Sequence, residues 1–238
     1  MKLGLLLGFW GEDGPPPRLL ETVQEAETLG YESVWTSEAS GSDALTPLAW
    51  VGAHTATMRL GTSIMHMAAR APAATAMAAL SLDYYSPYRD AHYRAALAEG
   101  AARPGARAAE ADFEIVATVP LIVDEDVETA AGRLRGLFAR FIGGMGPRGR
   151  NFHYDAFARM GYEEVASRVR DLWLEGRAQE SAAAVPTAMI EQVALIGPAP
   201  KIRDELVEWR RSLLTTLLVH VTPEPAVLRQ VAELVLGG

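Results

Sequence analysis

Apolar positions along the first 83 residues alternate between short continuous runs and stripes at helical spacing. Leu3 to Phe9 is a near-continuous apolar run, as expected of a parallel strand covered on both faces. Leu19, Leu20, Val23 and Ala26 then recur every three to four residues, predicting a helix with one buried stripe that Gly30 stops. Val34-Trp35-Thr36 reads as a second strand. It opens into the polar, glycine-bearing stretch Ser37 to Asp43, a candidate site loop. Thr46-Pro47 has the form of an N-cap with proline at the first helical position, opening a helix through Trp50 towards Thr57. Arg59 to His66 predicts a third strand, and Pro72 to Leu82 an alanine-rich helix.

Beyond Asp83 the pattern tightens. Tyr84-Tyr85-Ser86 has the character of a strand tail, Tyr88 to Glu99 of a helix, and residues 100–111 of a connection. Phe113 to Val123 predicts a strand whose ladder ends or bulges at Pro120. Glu125 to Ile142 predicts a helix ended by Gly143-Gly144-Met145-Gly146-Pro147. Further helices are expected around Phe157, over Tyr162 to Leu174 and over Pro200 to Arg211. Leu214 to Val221 is the last strand and Pro225 to Leu236 the last helix. Strand–helix alternation of this kind predicts an α/β fold with a parallel sheet, TIM-barrel-like in its beginning and ending. Five strands and the Tyr84 tail are too few for the eight of a complete (β/α) barrel. Residues 1–238 read as one domain, with 1–83 as the first three βα units and 84–238 as the closing units.

Charge narrows the partners. A net charge of −8 disfavours nucleic acid and anionic membrane. Cysteine is absent, which excludes disulfides, thiolate nucleophiles and Cys-ligated metals, and no metal site is expected. No stretch reaches the ~20 apolar residues of a membrane helix. The run after Lys2 imitates a signal peptide, but it is short, lacks a cleavage site and meets Glu12-Asp13, so the cytoplasm is the expected location.

None of the common catalytic motifs is present: no P-loop, GxGxxG, HExxH or GxSxG. The cluster Gly143-Gly144-Met145-Gly146, with Arg148 and Arg150, resembles a phosphate cradle. It ends a helix leaving the top of a strand, however, so the structural reading is preferred. Glu38 lies just past strand two, where a carboxylate can polarise a substrate or cofactor edge. It can equally cap a helix or pair with an arginine. His66 and His220 end strands and are acid–base candidates, each with a packed or solvated imidazole as the plainer alternative. His54, His92 and His153 fall on or beside helices and are set aside. Phe9 and Trp10 end strand one, where an aromatic can stack on a flat ring or simply fill the core. Met65 and Met67 share that ambiguity.

Several segments together resemble one family. MKLGLLLGFWG, GYESVWTSEASGSDALTPLAW, TATMRLGTSIMHMAARAPAATAMAALSLD, GGMGPRGRNFHYDAFARMGYEE and LLTTLLVHVTPEPAVLRQVAEL are similar, in order, to the luciferase-like monooxygenase superfamily. Within it they most resemble the deazaflavin (coenzyme F420)-dependent oxidoreductases of the methylene-tetrahydromethanopterin-reductase type. The resemblance implies a barrel that holds a flavin or deazaflavin at its C-terminal mouth, against the ends of strands one to three. The implied ring-contacting positions are Phe9, Trp10, Ser37, Ser63, Ile64 and Met65, with Thr36 at the pocket edge and Glu38 in the acid or polarising role. Ser63-Ile64 matches the family's non-proline cis peptide.

The implied activity is hydride transfer between coenzyme F420 (or FMN, the alternative cofactor) and a small-molecule substrate, by a homodimer. A flavin-dependent monooxygenase and a non-catalytic flavin- or ligand-binding protein are the alternatives. One departure is large. After LSLD the family continues through strands four and five and into strand six, with two glycine-rich loops for the cofactor's phosphate, whereas this chain passes directly to YYSP. An internal deletion of that size exposes sheet edges. The ends then close into a smaller barrel, a second copy covers them, or the intact protein carries residues this sequence lacks. The same deletion implies impaired catalysis.

Overall fold

The computed structural model describes residues 1–8, 18–38, 44–63, 80–82, 84–102, 114–147, 149–222 and 224–237. The chain forms two compact units, residues 1–121 with 203–238 and residues 122–202.

The first unit is a parallel sheet. Its strands are β1 (Lys2–Leu6), β2 (Ser33–Thr36), β3 (Arg59–Thr62), β4 (Leu80–Leu82), β5 (Ile115–Val123, whose last residues enter the second unit) and β7 (Thr216–His220). They lie in the order β3-β2-β1-β7-β5-β4, and each adjacent pair is parallel. Leu3 and Leu5 of β1 are fully buried on one face. On the other face Leu6, Trp35, Val116 and Leu218 pack together, drawn from four strands. Burying an indole requires space across the sheet. A Cβ on Gly61 would stand 2.5 Å from the Trp35 ring, closer than atoms can pack. Trp35 Nε1 donates to Ser33 Oγ at 2.9 Å, so the buried N–H is satisfied.

Helices α1 (Leu19–Thr28) and α10 (Pro225–Leu236) pack together; α1 buries Leu19, Val23 and Ala26, and α10 buries Leu228, Val231 and Val235. The Tyr31 hydroxyl donates to the Leu228 carbonyl at 3.2 Å. Gly30 ends α1 with φ +88, as its position after the apolar stripe predicts.

Three expectations are corrected here. Helix α2 runs over Leu45–Gly52, so Thr46 lies inside its first turn rather than capping it, and it stops short of Thr57. Leu80–Leu82, the described end of the helix expected from Pro72, is not helical: it is β4, paired with Ile115 to Ala117 of β5, and tertiary pairing overrides local helix propensity there. The strand tail expected at Tyr84 to Ser86 is a turn. Tyr84 has φ +54, and Tyr85 turns into the core against Trp209, with its hydroxyl donating to Asp90 at 2.5 Å. Asp90 also opens α3 (Asp90–Ala101) and accepts from the Leu213 N–H at 2.8 Å.

The second unit is mainly helical: α4 (Val127–Gly144), α5 (Phe152–Phe157), α6 (Glu163–Leu174), α7 (Ala178–Ala183) and α8 (Thr187–Glu191). Strand β6 (Leu195–Gly197) and the start of α9 (Ala199–Arg211) complete it. Asp126 caps α4 by accepting from the Thr129 N–H at 3.0 Å. Asn151 caps α5 and donates back to the Phe141 and Ile142 carbonyls, each at 2.9 Å. Strand β6 was not expected from the sequence. It lies beside the end of β5, where the Asp124 N–H donates to the Gly197 carbonyl at 3.0 Å.

Candidate functional site

The parallel strands of the first unit have two chemically different ends. At the N-terminal end Glu114, just before β5, accepts both Arg59 guanidinium nitrogens at 2.7 and 2.9 Å and Lys2 Nζ at 2.8 Å. Glu32 lies 3.5 Å from Arg59 and 4.0 Å from Lys2. The Arg59 hydrogen bonds, and then Lys2, hold the Glu114 carboxyl down to about 2 against the opposing effect of burial. Arg59 belongs to β3 and Glu114 to β5, strands that are not neighbours in the sheet. The network therefore spans the concave face.

At the C-terminal end, where sites of parallel barrels sit, the described side chains are mostly small or hydroxylic, Glu38 and His220 excepted. The ladder continues past the strands. The Leu7 N–H donates to the Trp35 carbonyl at 2.8 Å, the Ser37 N–H to the Gly8 carbonyl at 2.9 Å, and the Ser63 N–H to the Thr36 carbonyl at 2.8 Å. The Ser37 hydroxyl donates to the Ser63 carbonyl at 2.5 Å. Thr36 Oγ1 donates to the Ala44 carbonyl at 2.7 Å, tying the start of α2 to the end of β2. Ser63 Oγ approaches Thr118 Oγ1 of β5 at 3.5 Å, across the same concave face. Glu38 follows Ser37, half-buried, with its Oε2 atom out of solvent.

His220 ends β7 in register with Pro120, where the β5–β7 ladder stops as the sequence predicts. Its Nε2 lies 4.0 Å from where a Cβ on Gly8 would stand, and Gly8 has φ +72, a conformation glycine adopts without strain. The imidazole keeps an accessible edge, yet protein surrounds it closely enough that desolvation lowers its pKa.

Of the residues implied for the site, Ser37, Glu38 and Ser63 thus stand at the ends of adjacent strands. Phe9, Trp10, Ile64 and Met65 lie outside the described residues, as does His66. Gly8 and Thr118 were not singled out in the sequence. Strand alternation from Val116 to Thr118, and the glycine at the end of the first apolar run, are the signals that mark them.

The remaining candidates are structural. His153 is buried between Phe141, stacked at 4.9 Å, and Phe152, and burial pushes its imidazole down to about 4. His54 is exposed, with Nδ1 2.8 Å from the Trp50 carbonyl oxygen. His92 lies within α3. Gly143 and Gly144 let α4 approach Trp173 of α6, since a Cβ on Gly143 would collide with that side chain; their role is close packing rather than phosphate binding. Among the described residues no three His, Asp or Glu side chains converge as a metal site, and no helix is long and apolar enough to cross a membrane.

A family model described as luciferase-like monooxygenase matches residues 6–89 and 86–216. A protein of Mycobacterium tuberculosis that carries the name coenzyme F420-dependent oxidoreductase is 29% identical, with 92% of this chain and 94% of that protein covered. That alignment is 329 residues long against a chain of 238, so the relative has residues with no counterpart here. Among solved structures, the coenzyme F420-dependent tetrahydromethanopterin reductase of Methanopyrus kandleri is similar at a TM-score of 0.69 and 14% identity, covering 99% of this chain and 98% of that one. An F420-dependent secondary alcohol dehydrogenase, in complex with an F420-acetone adduct, gives 0.57 at 12% identity, covering 98% and 97%. At such identities the likeness is one of fold.

Proposed function

The chain belongs to the luciferase-like monooxygenase family, and on that premise we propose that it is a deazaflavin-dependent oxidoreductase whose ring site is the C-terminal rim of β1, β2 and β3. The observation that carries this reading is the ordered run Gly8, Ser37 and Ser63, which lies inside the matched stretch 6–89. Its side chains are absent or small and its polar groups neutral, so a flat, tricyclic heterocycle fits over the strand ends and finds hydrogen-bonding partners at its edge. Ser37 and Ser63 would hold that ring, together with Phe9, Trp10, Ile64 and Met65. When bound, coenzyme F420 supplies a carbon that accepts or gives hydride. Glu38 polarises the reacting edge, and the surrounding chain orients a small organic substrate and excludes water.

The internal deletion is part of the proposal. The sheet path holds six strands, and the short β6 beside β5 makes seven among the described residues, against eight in a complete barrel. The two family matches meet at residues 86–89, and the M. tuberculosis relative carries unmatched residues. Both features support a loss after Asp83 that removed phosphate-holding loops and so weakens cofactor affinity. A second copy of the chain would cover the end strands of the sheet.

Native mass spectrometry with coenzyme F420 or FMN added tests this reading. A dimer that retains F420 in preference to FMN is expected. Preferential retention of FMN, or of neither, overturns the cofactor assignment, and a bare monomer overturns the dimer.

A further inference from the structure

Three helices of the second unit bring one end each to the same place. Gly144, the last residue of α4, lies against Trp173 near the end of α6: a Cβ on it would stand 2.9 Å from the indole nitrogen. The start of α5 joins them, since the Asn151 side chain donates to the Phe141 and Ile142 carbonyls of α4. At this end each element finishes on a large apolar residue that is exposed. Met145, just past α4, is 47% exposed; Phe152, opening α5, and Leu174, closing α6, are each 56% exposed. Met145 lies between the other two. On one side Gly144 meets Trp173, the residue before Leu174. On the other, a Cβ on Gly146 would stand 2.9 Å from the carbonyl oxygen of Arg150, two residues before Phe152. Leu174, Met145 and Phe152 therefore form a short apolar ridge.

The ridge has opposite charges at its two ends. Between Glu128 and Asp155 the sequence carries five arginines and no carboxylate. One of them, Arg150, is exposed beside the Phe152 end, and among the described residues no carboxylate pairs with it. At the other end Glu175 follows Leu174. It shares Arg177 with Glu180, at 2.8 and 2.5 Å, so two carboxylates face one guanidinium and a negative charge is left over. A strip that is apolar in the middle, positive at one end and negative at the other is self-complementary under a two-fold rotation. Turned about an axis at Met145, Phe152 of one copy meets Leu174 of the other, and Arg150 meets Glu175. A partner of one sign would match only one end. Phe, Met and Arg are also the residues enriched where proteins meet.

We propose that this ridge is a contact between two copies of the chain, an isologous pairing centred on Met145. It belongs to the second unit alone and is independent of the cofactor reading and of the sheet edges in the first unit. Three half-exposed side chains with one charge pair at each end make a smaller patch than the roughly 800 Å² per partner of a standard interface, so the pairing is weak and depends on concentration.

Charge reversal tests it. Sedimentation from about 1 to 200 µM is compared for wild type, Arg150→Glu, Glu175→Arg, Met145→Lys and an equimolar mixture of the two charge variants. All the replaced side chains are exposed, and circular dichroism checks that each variant folds. The average mass of wild type is expected to rise with concentration. Each reversal alone puts like charges at both ends of the pair and should weaken self-association at least about tenfold, and Met145→Lys should abolish it. Mixing restores both charge pairs, so the mixture should associate within about threefold of wild type. The double variant gives the same reading should either single variant fold poorly. A mass that Arg150→Glu and Met145→Lys leave unchanged at every concentration overturns the proposal, and places any self-association on another surface such as the sheet edges. Charge variants that are weakened alone and stay apart when mixed overturn the two-fold pairing.

Discussion

The two ends of the parallel sheet are built from opposite materials. At the N-terminal end, charges from β1, β3 and the residue before β5 meet in one network around Glu114. At the C-terminal end, among the described residues, glycine and hydroxyl side chains make the rim, with Glu38 and His220 beside it. The pKa shifts differ in origin as well. Glu114 is held at about 2 by its partners, chiefly Arg59, whereas His220 is lowered by desolvation. A carboxylate stabilised by partners strengthens the fold. An imidazole desolvated at the rim costs stability once it is protonated. The contrast matches the division known for parallel barrels, stability at one end and chemistry at the other.

The largest perturbation removes what separates the two ends. Trp35→Ala empties the space between them and is expected to cost ~3–5 kcal/mol in chemical denaturation, disturbing both ends together. Retention of near wild-type stability would show that the indole does not fill that layer. Glu38→Gln acts on one end only: turnover with F420 should fall by about tenfold while cofactor affinity and melting temperature stay nearly constant. Unchanged turnover would remove Glu38 from the site.

Glu114→Gln acts on the other end. Because Arg59 is nearly half exposed, solvent screens the pair, and a loss of about 1 kcal/mol is expected, with F420 affinity unaffected. A weakened cofactor affinity in that variant would dissolve the distinction between the ends.

Acid titration sharpens it further. Histidines with lowered folded pKa values lose their contribution first, as pH falls from about 6.5; His220 and His153 both belong to this group. Glu114, also lowered, contributes fully above its unfolded value of 4.5 and loses that contribution as pH falls towards about 2. Stability should therefore decline in two stages, and Glu114→Gln should flatten only the second. Urea midpoints measured from pH 8 to 2 read this directly.

The sequence was most legible where local pattern and tertiary need agree. The apolar run of β1, the stripe of α1 with Gly30, and the β7–α10 ending all follow from periodicity and punctuation. Leu80–Leu82 was misread because three residues at the end of an alanine-rich stretch carry no period of their own; β5 supplies the ladder that makes them a strand. Strand β6 is equally short, ends on Gly197 and is followed by Pro198, so only its partner reveals it. The positions of Ser37, Glu38 and His220 at or just past strand ends were legible because strand ends can be located to within a residue or two. The charged network was not, since Lys2, Arg59 and Glu114 lie 55 or more residues apart and only the curl of the sheet joins them.

Hydrogen–deuterium exchange with and without coenzyme F420 tests the division of labour most directly. Cofactor-dependent protection is predicted at Leu7-Gly8, Ser37-Glu38, Ser63 and the His220 end of β7, with no change around Lys2, Arg59 and Glu114. Protection centred on the charged end, or none at saturating F420, would contradict it.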